Sequence, residues 1–187
     1  METYKIIFTG PVGAGKTTAI SAISDIEPFA TEEVATDETS EIKERTTVAM
    51  DYGMMKLEDG NRIHLYGTPG QERFNFMWEI LAEGGIGLIL LINNLNPEPL
   101  KDLEYYLSQF EDFIKKTGVA IGITRTADKP KPDIDEYAAL LANRQMVVPL
   151  FEVDARNKRD IVMLTQSLLY SLDPGLVQHQ DGSSLDD

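Results

Sequence analysis

Apolar residues along this chain gather into short blocks separated by polar, glycine-bearing or proline-bearing breaks, and successive blocks differ in period. Tyr4 to Thr9 predicts a buried strand, and Thr17 to Ser24, beyond a glycine-rich segment, predicts a first helix. Asp25 to Arg45 is polar and acidic, is interrupted by Pro28 and holds no steady period, so it reads as a long loop. Two strands, Thr47 to Leu57 and Asn61 to Tyr66, are expected on either side of Glu58-Asp59-Gly60, where the Asp-Gly pair suits a tight hairpin turn. Helical character returns over Gln71 to Glu83, Ile86 to Ile92 reads as a buried strand, and Glu98 to Lys116 predicts one long amphipathic helix. The remainder predicts a strand over Val119 to Ile123, a helix near Asp133 to Asn143 after a turn at Pro130 and Pro132, a strand over Val147 to Val153 and a last helix over Asp160 to Leu172.

Strands and helices in this alternation predict an α/β architecture: a mostly parallel sheet of about six strands, covered by helices on both faces, with one antiparallel edge strand. Ligands of such sheets bind beyond the carboxyl ends of the strands. A length of 187 residues suits one domain, expected over residues 1–175, and the acidic tail 176–187 is expected to be disordered.

Composition narrows the function classes. Hydrophobic residues at 42% and charged residues at 26% match an ordinary soluble protein. The longest apolar run, around Ile86 to Ile92, falls well short of the roughly 20 residues that span a bilayer. The start, Met-Glu-Thr-Tyr-Lys, lacks the regions of a signal peptide, so a cytoplasmic location is expected. With no cysteine and with Glu2 in second position, no disulfide and no lipid anchor are expected. A net charge of −14 opposes nucleic acid and anionic lipid as partners.

The glycine-rich segment carries the candidate chemistry. Gly10-Pro11-Val12-Gly13-Ala14-Gly15-Lys16-Thr17 follows an apolar strand and opens a helix, the setting in which this pattern forms a phosphate-binding loop, or P-loop. Gly10 and Gly15 let the chain turn sharply, so that backbone N–H groups of Gly10, Val12, Gly13, Ala14, Gly15 and Thr18 can face phosphate oxygens. Lys16 supplies a positive charge to the β and γ phosphates, and Thr17 places a hydroxyl for Mg²⁺. A solvated glycine-rich turn would leave Lys16 and Thr17 without a purpose. The loop alone does not separate ATP from GTP.

Gly67-Thr68-Pro69-Gly70-Gln71-Glu72-Arg73-Phe74 follows a strand and opens a helix, and it resembles the Asp-Thr-Ala-Gly-Gln-Glu-Arg-Phe run of Ras-type small GTPases. Thr46 to Gly53 and Tyr66 to Gln71 are closer still to bacterial Ras-like GTPases encoded beside roadblock-type proteins in actinobacterial conservons, and related to the gliding-polarity GTPases. The likeness covers roughly residues 4 to 172. It implies a Ras-like P-loop sandwich, a cytoplasmic switch that binds GTP or GDP with Mg²⁺, and a roadblock-type regulator. It also implies that Thr47 and the backbone of Gly70 order around the γ phosphate and metal and relax after hydrolysis. Thr47 would supply the second hydroxyl to Mg²⁺, with the adjacent Thr46 left open. Gln71 would orient the attacking water.

Three departures matter. Gly67 stands where the family usually has the aspartate that holds a magnesium water, and sequence alone gives Asp51 no claim to that role. Val12 replaces a glycine beside the γ phosphate, which predicts slow unaided hydrolysis. The guanine-reading Asn-Lys-x-Asp becomes Thr124-Arg125-Thr126-Ala127-Asp128, with one extra residue. A carboxylate at Asp128 still matches the two adjacent donors of guanine. Asp154-Ala155-Arg156 resembles the family's Ser-Ala-Lys loop, in which the alanine N–H meets the guanine oxygen.

Phe74, Met77, Trp78 and Leu81 recur at helical spacing and read as a core face, while Phe76 and Ile80 fall on another side as a candidate partner patch. His64, between Ile63 and Leu65, reads as structural, and no histidine-based catalytic group is expected. Two other readings stay open: a pseudo-GTPase acting in assembly, and an ATP-dependent ATPase or phosphotransferase.

Overall fold

A computed structural model describes residues 2–34, 47–57, 59–70, 76–129 and 131–172, with side chains left aside at 29–34 and 47–50. Strands β1 (Thr3–Thr9), β2 (Phe29–Val34), β3 (Thr47–Lys56), β4 (Arg62–Gly67), β5 (Gly87–Asn93), β6 (Val119–Thr124) and β7 (Leu150–Val153) form one sheet in the order β2-β3-β4-β1-β5-β6-β7. From β4 through β7 every neighbouring pair is parallel. β3 runs antiparallel to β4, and β2 antiparallel to β3. The α/β architecture is the expected one, with an added strand: β2 lies inside the stretch that reads as a loop in sequence, and it takes the edge, so the one antiparallel strand, β3, is second from the edge and not at it. Phe29–Val34 has no alternation strong enough to announce a strand, and pairing with β3 supplies what the local pattern lacks.

Alternation along the central strands divides the core in two. Ile6, Phe8, Ile89 and Leu91 face the side covered by α1 (Lys16–Ile23) and α6 (Lys158–Leu172), where they meet Ile20, Ile161, Leu164 and Leu168. Ile7, Leu88, Leu90 and Ile92 face the other side, with Trp78 of α2 (Phe76–Ala82), Leu103, Tyr106 and Leu107 of α3 (Pro99–Gln109) and Tyr137 of α5 (Ile134–Asn143). The single helix expected over Glu98 to Lys116 is two, α3 and α4 (Glu111–Lys116). They divide at Phe110, whose ψ of 14° leaves the helical range where its buried ring stacks on Trp78. α5 starts on a capping box, Asp133 with Glu136.

β7 is also shorter than the Val147 to Val153 expected. Val147 is fully exposed, and pairing begins only where the Ile121 N–H reaches the Pro149 carbonyl. No helix among the described residues is long and apolar enough to cross a membrane. The tail from residue 173 lies outside the described residues.

Candidate nucleotide site

The carboxyl ends of β1, β5, β6 and β7 converge on one rim of the sheet. The loop Gly10–Gly15 leaves β1 there and enters α1, whose first turn has no side-chain cap. Its leading N–H groups are therefore open to an anion. Gly10 has a φ of 140°, and a Cβ on it would lie 2.0 Å from the Leu91 carbonyl oxygen, so only glycine lets the loop press against β5. Asn93 at the end of β5 donates from its side chain to the Gly13 carbonyl (3.2 Å), a tie that no motif announced.

Lys16 is 8% exposed, and its ammonium donates to the carbonyls of Gly10 (2.7 Å) and Pro11 (2.8 Å). Burial lowers its pKa from 10.5 to about 8, with nearby Asp51 opposing the shift. Across that interval the unfolded chain binds more protons than the folded one, so this group's contribution to the stability of the free protein rises with pH. Anion binding runs the other way, because a phosphate beside the amine favours its charged form. Nucleotide affinity is expected to be flat below pH 8 and to fall above it, approaching tenfold per pH unit at about 25 °C. Titration at pH 7, 8 and 9 checks this, and a flat profile would contradict a buried, titrating Lys16.

Asp51 is the residue that sequence reading left without a role. In the β3–β4 register it sits opposite Gly67, and its Oδ2 accepts from the Thr17 hydroxyl at 2.6 Å. A Cβ on Gly67 would lie 3.0 Å from the Asp51 Cβ and 3.1 Å from its Oδ2. The carboxylate thus lies beside the position where a side chain on residue 67 would begin. The signal was countable: Leu57 donates to Asn61 across the hairpin, and stepping back along that pairing puts residue 51 against residue 67. A hydroxyl and a carboxylate in contact are hard oxygen donors of the kind Mg²⁺ takes, together with phosphates and water. No cluster of three or more His, Cys, Asp or Glu that could hold a metal occurs among the described residues.

The segment after β4 lies directly on the phosphate loop. Thr68 donates its N–H to the Phe8 carbonyl, and its hydroxyl lies 2.8 Å from that of Thr9. A Cβ on Gly70 would be 2.7 Å from the Val12 nitrogen and 2.8 Å from the Lys16 ammonium, an approach only glycine permits. The Val12 side chain is 63% exposed. Thr47 opens β3 opposite Val34, but its side chain, like all of Thr46, Gln71 and Phe74, lies outside what is described.

Next to the loop opens a cavity of about 500 Å³. Ala14, Gly15 and Thr18 line it on one side, Thr124, Arg125 and Asp128 on another, and Asp154, Ala155 and Arg156 on a third, with Glu152 and Asp160 completing the wall. The residues expected to read a base are thus gathered beside those expected to hold phosphate. Thr124 is buried, and its hydroxyl lies 3.1 Å from the Ala14 carbonyl and 3.2 Å from that of Ile92, tying β6 to the phosphate loop. Arg125 has a φ of 61°, turning the chain out of β6 toward Asp128. Asn94 donates to the Lys129 carbonyl (2.6 Å) and accepts from the Tyr137 hydroxyl (2.7 Å), which holds the far end of that loop. In the loop after β7, hydrogen bonds from Arg156 bring the Asp154 carboxyl down to about 2. Asp160 of α6 accepts from the Asp154 N–H (2.9 Å).

Of the partner-patch candidates, Phe76 and Ile80 are 63% and 68% exposed, while Trp78 and Leu81 are buried. His64 pairs through Nδ1 with the Tyr52 hydroxyl at 2.6 Å.

The fold and loop define a nucleotide-binding P-loop protein with distant similarity to Ras-related GTPases. Ras-related protein Rab-18-B of Danio rerio is 24% identical over 182 residues, spanning 94% of this chain and 83% of that protein. Ras-related protein RABE1e of Arabidopsis thaliana is 22% identical over 171 residues, 88% of this chain and 72% of that protein. A family model described as a conserved hypothetical ATP binding protein matches residues 25–110, a segment that begins after the phosphate loop. The chain belongs to the family of the uncharacterized protein MJ1339 of Methanocaldococcus jannaschii, with 33% identity over 124 residues, 63% of this chain and 73% of that protein.

Proposed function

We propose that this protein is a guanine-nucleotide-binding switch with slow intrinsic hydrolysis, whose nucleotide state governs the binding of a partner. The observation that carries the reading is convergence on one rim: Lys16 and the loop N–H groups, the Thr17–Asp51 pair, Gly70 and the cavity holding Asp128 lie side by side. Lys16 and the start of α1 bind the β and γ phosphates. Thr17, Asp51 and Thr47 hold Mg²⁺, directly or through its waters, and the ion when bound neutralises phosphate charge. Asp128 accepts from the two guanine donors, and the Ala155 N–H meets the guanine oxygen. Gly70 senses the γ phosphate, and Gln71 orients the attacking water. Val12 crowds that water, which keeps turnover slow until a partner intervenes. A roadblock-type protein is the first candidate regulator, and exposed Phe76 and Ile80 a candidate contact.

The matched family's description favours a second reading, with ATP as the nucleotide. Denaturing the purified protein and identifying the nucleotide it releases separates the two. GDP or GTP is expected, whereas ADP or ATP would overturn the guanine assignment and leave the phosphate site standing.

A further inference from the structure

We infer that Trp78 is a positioning residue that aims the Gly70 N–H at the terminal phosphate of a bound nucleoside triphosphate. The inference rests on the phosphate-site reading above. The Trp78 Nε1–H donates to the Pro69 carbonyl at 3.1 Å in a buried contact. Among the described residues the one cis peptide is Lys131–Pro132, so the Pro69–Gly70 peptide is trans. In a planar trans peptide the C=O and the following N–H point in opposite directions. Holding the Pro69 oxygen on the indole therefore turns the Gly70 N–H away from α2, while Gly70 itself lies against Val12 and Lys16 of the phosphate loop.

The next carbonyl is held as well. The Tyr106 hydroxyl of α3 donates to the Gly70 oxygen at 3.3 Å. Trp78 is 3% exposed and stacks on Tyr106 (centroids 5.2 Å apart) and on Phe110 (5.3 Å apart), so α2 and the α3–α4 junction fix the indole that fixes the peptide. Were that peptide free to rotate, it could present the Pro69 oxygen to the phosphates, an acceptor facing an anion. The indole bond removes that orientation before ligand arrives. A diphosphate, lacking the γ group that Gly70 is proposed to sense, gains nothing from it.

Trp78→Phe tests this, because it keeps an aromatic ring between Tyr106 and Phe110 and deletes the N–H. Affinities for GDP and for the slowly hydrolysed analogue GTPγS, measured by calorimetry in Mg²⁺, should change unequally: roughly tenfold weaker for GTPγS and nearly unchanged for GDP. Tyr106→Phe, which loses a longer bond, should shift the ratio the same way by less, and it carries the test if Trp78→Phe does not fold. A ratio equal to wild type, or an equal loss for both nucleotides, would overturn the inference. Wild type that takes ADP and ATPγS instead would reject the guanine reading alone, since the same ratio measured with the adenine pair still decides the role of Trp78. Wild type that binds neither pair would overturn both.

Discussion

Replacing Lys16 with alanine is expected to weaken nucleotide binding by roughly a hundredfold or more, the largest loss from any single change considered, because it removes the charge-assisted partner proposed for the β and γ phosphates. The ammonium is 8% exposed and is already seated by the Gly10 and Pro11 carbonyls, so its position is set before ligand arrives. Seating it has a desolvation cost, visible in a pKa lowered to about 8. Alanine removes that buried charge and its two bonds together, and these changes oppose each other in stability. The variant should therefore unfold cooperatively, with binding lost. A fluorescent-nucleotide titration paired with a thermal melt checks both halves. Unchanged affinity in a folded variant would contradict the phosphate-site assignment.

Asp51→Asn is expected to have the next largest effect, and on the metal rather than on the nucleotide itself. Asparagine can still accept the Thr17 hydroxyl, now 2.6 Å from the Asp51 oxygen, so the local geometry is preserved while the charge goes. A neutral oxygen is a far poorer partner for Mg²⁺ than a carboxylate. The Mg²⁺ concentration needed for half-maximal slowing of nucleotide release should rise by about tenfold or more, since a lost charge-assisted contact is worth about 1.5–3 kcal/mol. Affinity measured in excess chelator should change little. An unaltered Mg²⁺ requirement in Asp51→Asn would remove Asp51 from the metal site.

Both expectations concern features of unequal legibility in the sequence. The strand, loop and helix around Gly10–Thr17 were legible, because a strand, a glycine-bearing turn of fixed length and a helix are all local. The elements around it followed largely from hydrophobic period, and the residues that the family resemblance marks for the base lie around one cavity at the strand ends. What local pattern could not give was pairing at a distance. Asp51 gains a claim on the site only when the hairpin register sets it against Gly67, and β2 becomes a strand only through β3. The break at Phe110 was hidden for a related reason. The amphipathic period runs on through it, and only the stacking on Trp78, 32 positions earlier in the chain by their numbering, marks it. Thr124 shows the converse. It departs from the asparagine of related GTPases, yet its hydroxyl reaches the Ala14 carbonyl of the phosphate loop, so a shorter side chain makes a tie across 110 positions.

The claim that guanine, phosphate and metal are read together at this rim is tested most directly by competition on the nucleotide-free protein. A fluorescent GDP analogue bound in Mg²⁺ is displaced in turn by GDP and by ADP. If Asp128 and the Ala155 N–H read the base, GDP displaces the probe at a concentration lower than ADP by roughly a hundredfold or more, since an analogue that leaves a site's polar groups unpaired is strongly rejected. Equal displacement by the two nucleotides, or displacement by ADP alone, would contradict the account.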